Sequence, residues 1–325
     1  MLANQPSPLP AGLAQHERND GVSLQPGSES QGCPTPLDWQ QVVAAFREER
    51  EICRVQTSAG PIDAVTFGSG PPLFLLNGFL GSHELFALLA WVLRDEHSMV
   101  LLDWPTGDDR SQPISAQARL SQLALQLVEV ADELGHPQWT IHATSFGCLV
   151  ALQTMLDVPD RVKWASLQGA FVSQRFSLAE KALLFAAKWS KKKVKEVQLA
   201  RLIQQQNNRL WFPPFDVSRW DFYAQQAGET PVRDYAKLAS IAGSVDLSQR
   251  LPQIKTSLLL VSCEGDGQRS NTAQREISER LPNSRIESLD HCGAIPHITH
   301  PHRLAKLLRQ FRDLGLNCPE VPRED

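Results

Sequence analysis

One serine in this 325-residue chain stands where a hydroxyl can be made into a nucleophile. The run Trp139-Thr140-Ile141-His142-Ala143-Thr144-Ser145-Phe146-Gly147-Cys148-Leu149-Val150 is apolar, reaches a corner of small residues, and continues with a helical pattern. Ala143 and Gly147 flank Ser145 where a strand that turns sharply into a helix needs small neighbours. A serine hydroxyl attacks a carbonyl only when a base takes its proton, an acid orients that base, and N–H donors receive the developing oxyanion. Taken by itself, a serine between two small residues is more often an ordinary turn.

Three further blocks supply the rest of that inventory. Pro71 to Ser82 is an apolar strand running into the glycine-rich loop Asn77-Gly78-Phe79-Leu80-Gly81. The backbone N–H groups of Phe79 and Phe146 are the candidate oxyanion donors. Val158 to Leu167 is a proline stop followed by another strand. Leu251 to Asp266 is a buried strand with a carboxylate, Asp266, just beyond its end.

In these blocks and in their order the chain resembles the α/β-hydrolase superfamily, from about Cys53 to Phe311. The resemblance implies an α/β fold with a mostly parallel, eight-stranded sheet, helices on both faces and an inserted helical cap. It carries the nucleophile onto Ser145 and the acid onto Asp266, and it puts Asn77 where the family often has a loop-shaping histidine. The last family block, of the form Gly-x-Gly-His-x-Pro, meets Asp290-His291-Cys292-Gly293-Ala294-Ile295-Pro296 here. Aligned on Pro296 and Pro301, the catalytic histidine position falls on Ala294. His291 stands three residues early and His297 three residues late, a displacement of several ångströms or more along an extended loop. Within the superfamily the pattern is most similar to maspardin-like proteins, a resemblance that implies action through protein partners.

Two readings follow. In one, the chain is hydrolase-like with weak or no activity and binds a protein partner or ligand. In the other, it is a serine hydrolase acting on an ester, thioester or amide of a small apolar acyl substrate, with His291 or His297 as a displaced base. Neither needs a cofactor.

Elements able to position these groups are legible along the chain. Residues 1–36 are rich in Pro, Ser, Gln and Gly and read as a disordered tail. The folded domain is expected over 37–318, with a short tail at 319–325. It opens with a helix at Trp39–Glu51 and strands at Ile52–Thr57 and Ile62–Phe67. Then come strand Leu73–Leu76, helix His83–Arg94, strand Met99–Asp103, helix Ser115–Leu134, strand Trp139–Ala143 and helix Phe146–Asp157. Such alternation predicts a parallel sheet covered on both faces. Between about Ser173 and Ser244 only helical patterns remain, which fits the cap. Strands return at Thr256–Cys263 and Arg285–Asp290, and a closing helix runs from about His302 to Leu314.

Composition narrows the function classes. A formal net charge of −4 and a pI near 6.2 argue against general nucleic-acid binding, which needs a basic footprint. No apolar run approaches a bilayer-spanning helix, and the first residues lack a signal peptide's basic start and apolar core. The six cysteines show neither disulfide nor metal-ligand spacing, so they read as reduced thiols in a cytoplasmic protein. The C-terminal histidines do not share one helical face with a carboxylate, so no metal site is expected.

The basic run Lys188 to Lys195 reads either as a solvated helix face or as a patch for an anionic membrane surface or acidic partner. Trp211 to Phe215 reads as a pocket lining or as the attachment of cap to core. Asp103 is expected to fix a loop, Cys148 to fill helix packing, and Asp290 to pair locally with His291.

Overall fold

The computed structural model describes residues 38–104, 115–213 and 216–315. The tails expected at 1–36 and 319–325 lie outside the described residues, as do Pro214 and Phe215. Eight strands form one sheet in the order β1-β2-β4-β3-β5-β6-β7-β8. β1 (Glu51–Thr57) and β2 (Gly60–Gly68) form an antiparallel pair at one edge, and β2 is also antiparallel to β4 (Ser98–Leu102). From β4 through β3 (Pro72–Leu76), β5 (Trp139–Thr144), β6 (Val162–Gln168), β7 (Ser257–Cys263) and β8 (Ser284–Leu289), every pairing is parallel.

β3, β4 and β7 are largely apolar runs because helices cover both faces of the sheet. Alternation along β3 sends Phe74 and Leu76 to one core and Leu73 and Leu75 to the other. The first core packs against α3 (Ala116–Glu133) and α4 (Phe146–Asp157), and the second against α1 (Trp39–Glu49), α2 (Ala87–Leu93) and α11 (Pro301–Leu314). Central helix α4 buries every residue from Phe146 to Met155, as a helix enclosed all round must. By contrast α11 buries Leu304, Ala305, Leu308 and Phe311, a single stripe at helical spacing.

The expected helix over His83–Arg94 is in fact a 3-10 turn, His83–Phe86, leading into α2. Ser82 caps that turn through the Glu84 N–H, and Asp103 accepts hydrogen bonds from the His83 N–H (2.6 Å) and meets its Nδ1 (2.7 Å). Asp103 therefore fixes this loop, as expected. After β7 a helix the sequence reading did not contain, α9 (Gly267–Arg280), starts directly at the acid.

The cap comprises α5 (Leu178–Ala187), α6 (Gln198–Asn208), α7 (Val217–Gly228) and α8 (Val232–Ala242). A bridge between Ser173 and Asp246 brings its entry and exit together.

Candidate active site

Ser145 joins β5 to α4 with φ 48° and ψ −113°. For a residue with a side chain this conformation costs on the order of 1–3 kcal/mol and persists only where its surroundings enforce it. Here they do. The Ser145 N–H donates to the Gln168 carbonyl at the end of β6 (2.9 Å), and the Ser145 carbonyl accepts from the Cys148 N–H (3.0 Å). Gly147 lets α4 approach β3: a Cβ there would lie 2.6 Å from the Leu76 carbonyl oxygen and 2.8 Å from that of Asn77. Ala143 is fully buried, so its methyl fits the other small position. Cys148 is buried with its Sγ against the Ala143 and Gln168 carbonyls, and burial pushes its thiol pKa well up, the state of a packing residue.

The loop after β3 runs against this corner, with the Cβ position of Gly78 only 3.2 Å from the Ser145 Cβ. Asn77 shapes it from within. Its Oδ1 accepts from the Gly78 N–H (2.8 Å), and its Nδ2 donates to the Leu80 (3.1 Å) and Ser82 (3.3 Å) carbonyls. Trp104 Nε1 donates to the Asn77 and Gly78 carbonyls, both at 3.0 Å. The Phe146 N–H is the first of α4, so no carbonyl within its own helix is available to it. The Phe79 ring lies between Phe146 (5.3 Å between centroids), Phe171 (6.1 Å) and Tyr235 of cap helix α8 (5.8 Å). The Gly81 N–H donates to Thr230 Oγ1 of the cap (2.8 Å).

Asp266 follows β7 in a 3-10 turn. Its Oδ1 accepts from Gln168 Nε2 (2.8 Å) and its Oδ2 from the Cys263 N–H (3.0 Å). Gln168 thus joins serine and acid, its backbone holding Ser145 and its side chain holding Asp266. Burial raises the Asp266 pKa to about 7, against the lowering effect of those hydrogen bonds.

No described histidine shares this arrangement. At the end of β8, His291 has φ 53° and a side chain 94 % exposed; its N–H donates to Glu264 (2.9 Å), and its Nδ1 lies 3.9 Å from that same carboxylate. The local pair expected between Asp290 and His291 is therefore replaced by one to Glu264, because the positive φ turns the His291 backbone toward the acid loop. His297 lies in α10 (Pro296–Thr299), fully buried, its ring 4.7 Å from that of Phe86. His300 Nδ1 meets Thr299 Oγ1 (3.0 Å), and the buried His142 meets Ser166 (3.2 Å). Ala294 offers a methyl group next to Gly293, whose Cα would lie 2.6 Å from a Cβ on Gly265. The acid loop and the loop after β8 are thus in direct backbone contact, joined also by the Gly265 N–H donating to the Cys292 carbonyl (2.9 Å).

Trp211 seals this contact from the cap. Side chains placed at Gly265 or Gly293 would meet its indole at 2.7 and 2.6 Å. Of the two roles open for the Trp211 segment, this contact is the joining of cap to core. Phe212 is buried against Trp220 and Tyr223 within the cap. Among the described residues no group of three or more His, Cys, Asp or Glu side chains gathers for a metal ion. The four described cysteines are free.

Two features escaped the sequence reading. Gln168 carried no motif, although its place at the end of the strand between those of serine and acid was a positional signal. The ring cluster around Phe79 draws on the core before the cap and on the cap itself, a grouping no local pattern announces.

This fold recurs in known proteins. By overall fold the chain is similar to a thermophilic esterase from Thermogutta terrifontis solved with malate bound (TM-score 0.65, 17 % identity), over 81 % of this chain and 98 % of that one. It is similar to a hydrolase from Pseudomonas aeruginosa PA01 (TM-score 0.67, 16 % identity), over the same shares of the two chains. An esterase from Exiguobacterium antarcticum matches with a TM-score of 0.65 at 18 % identity, over 80 % of this chain and 98 % of that one. At these identities the likeness is one of fold. The sequence model of the α/β-hydrolase fold matches residues 71–301, and the chain belongs to that family.

Proposed function

We propose that this protein is a hydrolase-like binder: it keeps the serine corner, the acid and an aromatic recess of the α/β-hydrolase fold but has no general base. In this reading Ser145 and Asp266 hold the nucleophile and acid positions, and the Phe79 and Phe146 N–H groups the oxyanion positions. One observation carries it. The family histidine position is Ala294, and every described histidine near that segment is committed elsewhere, His291 to solvent and Glu264, His297 to the buried face of Phe86. Asp266 agrees with this assignment, since its carboxylate oxygens accept from Gln168 Nε2 and the Cys263 N–H and from no histidine among the described residues.

Without the imidazole, attack by a serine hydroxyl loses about four to six orders of magnitude in rate. What remains is recognition. The partly exposed rings of Phe79, Phe171 and Tyr235 suit a small apolar acyl or aromatic ligand. A protein partner reached through the cap is the other occupant in keeping with the sequence resemblance.

Fluorophosphonate labelling and hydrolysis of p-nitrophenyl esters, each with Ser145→Ala as control, test the reading. The expected result is labelling and turnover that change little when Ser145 is removed. Robust hydrolysis abolished by both Ser145→Ala and His291→Ala would refute it, since the loop would then be supplying its own base.

A further inference from the structure

Helix α5 differs from the other long helices in burying none of its residues, although it is among the most apolar. Leu178, Phe185 and Trp189 are 86 %, 67 % and 78 % exposed. Leu178, Ala182 and Phe185 fall at i, i+4 and i+7, one stripe of a 3.6-residue helix. Trp189 follows in the turn after the helix, its N–H donating to the Ala186 carbonyl (3.2 Å). Lys181 flanks the stripe at i+3, Lys188 caps the helix end, and Lys191 and Lys192 follow Ser190. Lys193 and Lys195 are tied to Glu229, whereas Lys188, Lys191 and Lys192 form no ion pair among the described residues. The stretch from Ser177 to Lys195 carries six lysines and one glutamate, in a chain whose net charge is −4. That glutamate, Glu180, is turned back to the helix start by the Ser177 N–H (2.7 Å).

We propose that the cap docks on an anionic lipid surface through α5, with Leu178, Phe185 and Trp189 entering the interfacial layer and Lys188, Lys191 and Lys192 meeting the headgroups. An exposed apolar stripe of this kind marks a contact surface rather than ordinary scatter. The chemistry selects the occupant. Leucine and phenylalanine on one side of a helix, with tryptophan just beyond its end and lysines beside them, is the distribution that lies in a membrane interface, the amines reaching the headgroups on long stems. A symmetric second copy would bring the same lysines against one another. No described helix is long and apolar enough to cross a membrane, so the contact is peripheral. The inference stands whether or not the Ser145 site turns over substrate.

Flotation of the full chain with phosphatidylcholine vesicles, with and without about 30 mol% phosphatidylserine, tests it. Binding is expected only to the anionic vesicles and should be released by high salt, because exposed charges are screened. Reversing the charge at Lys188, Lys191 and Lys192 should weaken partitioning by at least on the order of a hundredfold, at about fivefold per lysine removed. Phe185→Ser with Trp189→Ser should abolish it, with circular dichroism unchanged because both residues are exposed. Absence of binding to anionic vesicles overturns the proposal, and so does a lysine-reversed variant that floats like the native chain. A native dimer converted to monomer by the Phe185→Ser, Trp189→Ser variant also overturns it, since the stripe would then be a self-interface.

Discussion

Replacing Asp266 by Asn should stabilise this protein, and the gain should grow with pH. Burial raises the carboxyl pKa from 3.8 to about 7. The folded state then holds a proton that the unfolded chain gives up near pH 3.8, so stability falls as pH rises between those values and is level above them. At 1.36 kcal/mol per unit, the full span costs the native chain about 4 kcal/mol. Between about pH 5.5 and about pH 8.5 only the part up to pH 7 counts, so the Asn variant's advantage should widen by about 2 kcal/mol. Asn is neutral throughout, and a flip of the Gln168 amide lets it keep both hydrogen bonds, its Oδ1 accepting from the Cys263 N–H and its Nδ2 donating to Gln168. Urea denaturation of both proteins at the two pH values gives the difference directly. An advantage equal at both pH values would refute the reasoning, because it would mean an Asp266 that ionises normally, as one paired with a cation would. A stabilising substitution in such a place would also mark Asp266 as retained at a cost in stability, as functional residues commonly are.

Gly147→Ala should destabilise the fold by more than about 2 kcal/mol in the same assay, since the new methyl meets two backbone carbonyl oxygens that cannot turn aside. Ala294→His should create ester hydrolysis that depends on Ser145 and is measurable with p-nitrophenyl acetate. The gain should increase when Trp211 is trimmed, because its indole closes the neighbouring loops. Acid should unfold the native chain readily. Burial lowers the pKa of both His142 and His297 to about 3, so stability present above pH 6.5 is lost as pH falls toward that value. His297→Phe should shift the acid-unfolding midpoint, followed by circular dichroism, to lower pH.

The sequence determined the frame of this protein because its signals are local. The short, largely apolar runs of β3 and β7, bounded by turn residues, read as strands buried on both faces, and the boundaries of α4 are marked by a serine corner and a proline stop. Asp103 at a strand end and Ser145 between two small residues were visible for the same reason, since each is required by the chain immediately around it. The hold on the start of the His83 turn was not visible, because its acceptor is Asp103, twenty residues away along the chain. Only the tertiary structure decided how the site is populated. Gln168 links serine to acid because β6 lies between β5 and β7 in the sheet, and only the folded register brings its side chain to Asp266. His297 is buried against Phe86 and His291 turned to solvent by the packing of α10 and by one positive φ, so neighbours in sequence part ways in space. The exposure of α5 belongs to the same class: it is among the most apolar of the helices, and only the assembled cap leaves none of its residues buried.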